Sequence, residues 1–169
     1  MSRIPVAALA AIAVIAGGSV AGIGLATRGS SHHTARTLVI DETAGRVGTV
    51  LLGETRANVL AVLGAPATDE SPGVGPEILR YSHLTITLLA GTVASIRTDD
   101  PAAVTLEAIR IGDPLSAARA SYRRAATCNP SSPDKQAAHP YCRVRVRSGQ
   151  MLVTGDPIRT ITLVRTRSA

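Results

Sequence analysis

The chain contains no Trp and no Phe, and only three Tyr among its 169 residues. Proteins that hold bases or sugars by stacking need exposed rings at several positions. The composition excludes that mode of recognition and argues against nucleic acid as a partner. Lysine is nearly absent too: Lys135 stands alone against 17 Arg, in a chain of net charge +6. A phosphate-binding loop needs a Gly-rich turn followed by Lys and Ser or Thr at a helix start, and Lys135 lacks that context. There is no Gly-x-Ser-x-Gly elbow for a serine hydrolase. Ser132-Pro133-Asp134-Lys135 has Ser-x-x-Lys spacing, but its prolines and polar neighbours mark a loop, not the start of a buried helix.

Metal and acid–base chemistry find equally little support. The acid pairs Asp69-Glu70 and Asp99-Asp100 are adjacent residues that point apart, unlike two carboxylates held at a fixed separation. The four His are scattered, and His32-His33 alone supplies too few ligands for zinc. His83 reads as a sheet-edge or sheet-face residue. No catalytic residue, metal or cofactor is expected, and the chain reads as non-enzymatic. What is plentiful is apolar: 45% hydrophobic against 18% charged residues, enough to build a core and too apolar for a disordered chain.

The longest apolar stretch comes first. Residues 4–26 hold 23 positions without a charge. As a helix they would be about 34 Å long, enough for a hydrocarbon core of about 30 Å. Residues 1–27 therefore read as an uncleaved membrane anchor or a cleaved signal peptide, with small-x-small sites at Ser19-Val20-Ala21 and Gly24-Leu25-Ala26. Both readings export the remainder of the chain, either on the outer face of the cell membrane or as a secreted protein. No Cys lies near the end of the run, so a lipid-modified terminus is not supported. Cys128 and Cys142 are the only cysteines, and an exported chain with an even count usually pairs them.

Residues 28–45 are small and polar apart from Leu38-Val39-Ile40, and read as a linker with a short extended piece. Beyond it the pattern occurs twice, over 46–100 and 101–169. Each copy has an apolar stretch ending in Gly53 or Gly112, an acid at Glu54 or Asp113, and then a short helix pattern. Thr55 caps the first helix, which Gly64 and Pro66 stop. Asp113 with Pro114 is the expected cap of the second. Three strand-like stretches come after each helix: 77–82, 84–89 and 92–98, then 141–147, 150–154 and 158–165. The expected fold class is α+β: an N-terminal transmembrane or signal helix, then two tandem units of one helix plus a three-stranded antiparallel meander.

Leu52-Gly53-Glu54-Thr55-Arg56-Ala57-Asn58-Val59, Leu63-Gly64-Ala65-Pro66 and Ile111-Gly112-Asp113-Pro114-Leu115 carry a resemblance. The chain resembles the SmpA/OmlA (BamE-like) domain, and its tandem copy resembles the β-lactamase inhibitor protein family. The resemblance implies an exported scaffold, two halves forming one curved sheet, and action by binding proteins and not by catalysis. The envelope lipoproteins of this group carry a lipobox cysteine, which is missing here. The aromatics that the inhibitors present are missing too, so no inhibitory residue carries over.

One constellation remains. Arg143, Arg145 and Arg147 alternate, which on a strand sends all three to one face about 7 Å apart. Thr160 and Thr162 extend that polar face. The row suits an acidic envelope protein or an anionic cell-surface polymer. The expected function is a non-catalytic extracytoplasmic envelope protein that binds through this face and holds the membrane by its N-terminal helix. The alternatives are a membrane-anchored enzyme of unrecognised class and a purely structural assembly factor.

Overall fold

The structure, a computed structural model, describes residues 37–71, 73–129 and 139–166. Among these residues lie twelve strands and two helices. The first half runs β1 (Leu38–Asp41), β2 (Arg46–Val47), β3 (Val50–Leu51), α1 (Arg56–Leu63), β4 (Thr68–Glu70), β5 (Glu77–Arg80), β6 (Leu84–Leu89) and β7 (Thr92–Thr98). The second runs β8 (Ala103–Thr105), α2 (Leu115–Tyr122), a 3-10 turn at Arg123–Ala125, β9 (Ala126–Asn129), β10 (Tyr141–Val146), β11 (Gly149–Thr154) and β12 (Thr160–Arg165).

Two sheets form. The larger has eight strands in the order β4-β5-β6-β7-β12-β11-β10-β9, and the smaller has four in the order β3-β2-β1-β8. The large sheet is antiparallel throughout and joins the two halves where β12 pairs with β7. The small sheet joins them again: Leu38, Val39 and Ile40 pair in parallel with Ala103, Val104 and Thr105. Alternation explains how the large sheet packs. Leu79, Ile86, Leu88, Val93, Ile96, Cys142, Val144, Met151, Val153, Ile161 and Leu163 point to one side and are buried. Ile40, Val47 and Val50 of the small sheet, Val59 of α1, and Leu115 and Ala118 of α2 close over them in one continuous core.

The expected fold class is corrected on both counts. The described residues are mostly β-sheet, 46% in strands with two short helices, and each half contributes four strands to the large sheet where three were expected. The added strands, β4 and β9, are edge strands. Thr68, Asp69 and Glu70 are all exposed, so β4 carries no alternation to betray it; backbone pairing with β5 makes it a strand. β1, β2, β3 and β8, of two to four residues each, form a second sheet that no periodicity announces. The expected N-terminal helix falls outside the described residues, and no helix among the described residues is long and apolar enough to cross a membrane.

The helix ends show how local signals and tertiary context divide the work. Thr55 Oγ1 accepts from the Asn58 N–H at 3.3 Å, and the Gly64 N–H returns to the Leu60 carbonyl. Asp113, the expected cap of α2, instead accepts from the Arg110 N–H at 2.8 Å. The first N–H of α2, on Leu115, is taken by Asp156 Oδ1 at 3.1 Å, from the turn between β11 and β12. A buried polar knot ties the small sheet to the second half. Glu42, just after β1, accepts from the Tyr122 hydroxyl at 2.8 Å and from the Leu106 N–H at 3.2 Å, and its carbonyl accepts from Ser148 Oγ at 2.8 Å.

Candidate functional site

The outer face of the large sheet is polar. On β10, Tyr141, Arg143 and Arg145 point away from the core, between buried Cys142 and Val144. On β12, Thr160 and Thr162 are half-buried on the same side, opposite buried Ile161 and Leu163. The structure thus brings Arg143, Arg145, Thr160 and Thr162 to one face. Arg143 pairs with Leu152 of β11, which pairs with Thr162 of β12. Arg147 falls outside the row: it is exposed in the turn after β10, where strand alternation no longer aims it.

Cys128 and Cys142 are joined by a disulfide. They stand directly opposite one another in the β9–β10 register, so the bond pins the outermost strand of the sheet to its neighbour. Beside it runs a groove of about 690 Å³, lined by Arg124, Thr127, Tyr141, Arg143, Arg145 and Gln150 among others. β10 supplies two of the three guanidiniums. The third, Arg124, comes from the 3-10 turn that leads into β9. The helical pattern in the sequence puts Arg124 on a solvated face, and it is exposed; the turn at Arg123–Ala125 places it in the wall of the groove with Arg143 and Arg145.

Charge is divided unevenly. Residues 1–100 carry seven basic against eight acidic side chains, whereas residues 101–169 carry eleven against four. In the first half Arg46, Arg56 and Arg80 are partnered. Arg46 meets Asp41 at 3.3 Å, Arg56 reaches both Asp69 and Glu77, and Arg80 meets Glu70 at 2.9 Å. The Arg80 hydrogen bond holds Glu70 below the usual carboxylate range. Arg124, Arg143 and Arg145 pair with no carboxylate among the described residues. Guanidinium groups left unpaired side by side repel one another, and an anionic ligand relieves that repulsion.

A second, smaller hollow of about 190 Å³ lies in the first half, with Arg80, His83, Thr85, Arg97 and Asp99 in its wall. His83 comes after β5 and sits on the sheet margin, its Nδ1 3.0 Å from Asp99 Oδ1. Arg97 does not stand out in the sequence. Its signal is the alternation of β7, where Ile96 and Thr98 are buried and Arg97 is exposed, but nothing local says what stands beside it. Ser132-Pro133-Asp134-Lys135 and His32-His33 lie outside the described residues. Among the described residues no group of three or more His, Cys, Asp or Glu is arranged to hold a metal ion.

Fold and site together define a β-rich chain with a basic groove on the open face of an eight-stranded sheet. No family model matches the chain, and no curated protein matches it. Among solved structures it is similar to an extracellular protein containing an SCP domain from Bacillus anthracis str. Ames. The TM-score is 0.52 at 13% identity, covering 68% of this chain and 44% of that one. At that identity the likeness is one of fold, and the chain spans less than half the length of the protein it matches.

Proposed function

We propose that this chain is an exported, non-catalytic binding protein whose basic groove, built on Arg124, Arg143 and Arg145, engages an acidic partner at the cell envelope. One observation carries the reading. Three guanidiniums converge on a single groove without a carboxylate among the described residues, while Arg46, Arg56 and Arg80 in the other half are paired. Export is supported by the uncharged run over residues 4–26, by the Cys128–Cys142 bond, and by the extracellular source of the structural neighbour. Arginine fits such a surface because its planar fork binds oxyanions in two places at once and never loses its charge.

The test is charge reversal. The full chain and its R143E/R145E variant are used to capture partners from envelope extracts at low and at physiological salt. Both substituted positions are exposed, so the variant is expected to fold. The wild type is expected to retain acidic material that the variant loses, with retention falling as salt rises. Equal capture by both chains overturns the proposal.

A further inference from the structure

The strand register lays out a continuous row of side chains across the open face. Reading one residue per strand, Thr127 stands opposite Arg143, Arg143 opposite Leu152, and Leu152 opposite Thr162. Thr162 is opposite Arg97, Arg97 opposite Thr85, Thr85 opposite Arg80, and Arg80 opposite Thr68. The row crosses all eight strands at right angles to their direction, a path of about 34 Å at about 4.8 Å per strand. None of its members is buried, whereas their neighbours along β7, β12, β11 and β10 are. Leu152 is its one apolar member. At the middle of the row is Arg97, which pairs with no carboxylate among the described residues. Two carboxylates of that half have other partners: Glu70 meets Arg80 at 2.9 Å, and Asp99, two positions along from Arg97, meets His83 at 3.0 Å.

We infer that this row is a track for one extended ligand: a linear, oxygen-rich polyanion lying across the strands from the basic groove to Arg97. The inference rests on the proposed binding function and names the ligand class for that face. Charge complementarity sets the anion. The spacing sets its shape, because Arg143 and Arg97 are three strands and therefore about 14 Å apart. Leu152 and hydroxyl-bearing Thr162 lie between them and Thr85 lies beyond Arg97, so the ligand carries negative charge at both arginines and oxygen acceptors along its length. Donor balance sets its chemistry. Guanidinium groups only donate, and the other polar members of the row are threonine hydroxyls, which donate as well as accept, so donors outnumber acceptors along the track. A polymer rich in phosphate, carboxylate, ether and hydroxyl oxygens satisfies such a track. A polypeptide brings one N–H per residue, and lying across the strands it cannot pair with the sheet backbone.

The test uses the full chain, its R97Q, T85V/T162V and R143E/R145E variants, and three probes: sodium polyphosphate, a polyuronate and poly-L-glutamate. Each polyanion is supplied as long chains and as fragments too short to bridge 14 Å. Long polyphosphate or polyuronate is expected to bind the wild type more tightly than poly-L-glutamate of equal charge. R97Q is expected to weaken long-chain binding about tenfold, the loss of one charge-assisted contact, and to leave fragment binding within about twofold. T85V/T162V is expected to weaken the long chains in the same direction. R143E/R145E is expected to abolish both, and circular dichroism checks that each variant is folded. If R97Q binds long chains as the wild type does, the track is wrong while the groove stands. Tighter binding of poly-L-glutamate also overturns the track, in favour of an acidic protein. If R143E/R145E binds every probe normally, the groove itself is wrong.

Discussion

Removing the Cys128–Cys142 bond is the sharpest test of how the outer edge of the sheet is held. The bond closes a loop between positions 14 apart, one end on the outermost strand and the other in the core. Constraining an unfolded loop of about 15 residues contributes about 3 kcal/mol on the chain-entropy account. In a C128A/C142A chain the buried Cys142 sulfur is lost as well, and the small void adds roughly 1 kcal/mol. The expected total is a loss of about 4 kcal/mol, which lowers a urea midpoint by roughly 1–4 M. Reducing the wild-type bond without substitution isolates the loop contribution, and there the expected loss is about 3 kcal/mol. Hydrogen exchange locates the effect: amides of Ala126–Asn129 should exchange faster while those of β6 and β7 keep their protection. A loss below about 1 kcal/mol, or exchange rising equally across the sheet, refutes the idea that the bond constrains the unfolded loop and pins β9.

Three further outcomes are expected. Burial, with smaller contributions from the hydrogen bond to Glu42 and its charge, holds the Tyr122 hydroxyl well above its ordinary pKa of 10.0. The folded chain keeps a proton that the unfolded chain releases, so this contribution is complete below pH about 10 and lost above it, by about 1.4 kcal/mol per pH unit. Urea titrations from pH 8 to 11 should show that slope shrink in Tyr122→Phe; part remains, because burial raises Tyr81 in the same direction. Asp156→Ala should cost about 1 kcal/mol and loosen the first turn of α2, read by exchange at Leu115, whereas an intact turn would show that the distant cap is dispensable. Gly149→Ala should cost more than about 2 kcal/mol in a urea melt, since the backbone there has φ 149° and a Cβ would come within 2.1 Å of the Val164 carbonyl; a stable variant would mean β11 and β12 can part.

The sequence speaks most clearly where one residue's neighbours along the chain decide its fate. Alternation marks β6 and β10 because their buried and exposed residues come in turn, and tight turns follow them at Ala90-Gly91 and Arg147-Ser148. Thr55 caps α1 through a bond three residues long. Two cysteines leave one intramolecular pairing, and it is the one formed. The rest is decided by long-range pairing. β4 is a strand only because β5 lies beside it, and the α2 cap comes from 41 residues away. The candidate site is half legible. Arg143 and Arg145 announce themselves by spacing, but Arg147 falls in a turn that alternation overruns. Arg97 becomes notable only once Thr162 is placed opposite it, and that register belongs to two segments 65 residues apart.

β12 is the last of the described strands in the chain, yet it lies fifth of eight across the large sheet, between β7 and β11. Without β12 the seven earlier strands of that sheet form two groups with bare inner margins, β4 to β7 and β9 to β11, and β12 closes the gap between them. Until it arrives, both margins invite pairing with another molecule. A stop at residue 159 would not trim a border from this protein; it would remove an inner strand of the large sheet and leave two groups of strands, linked through the small sheet, facing an empty slot.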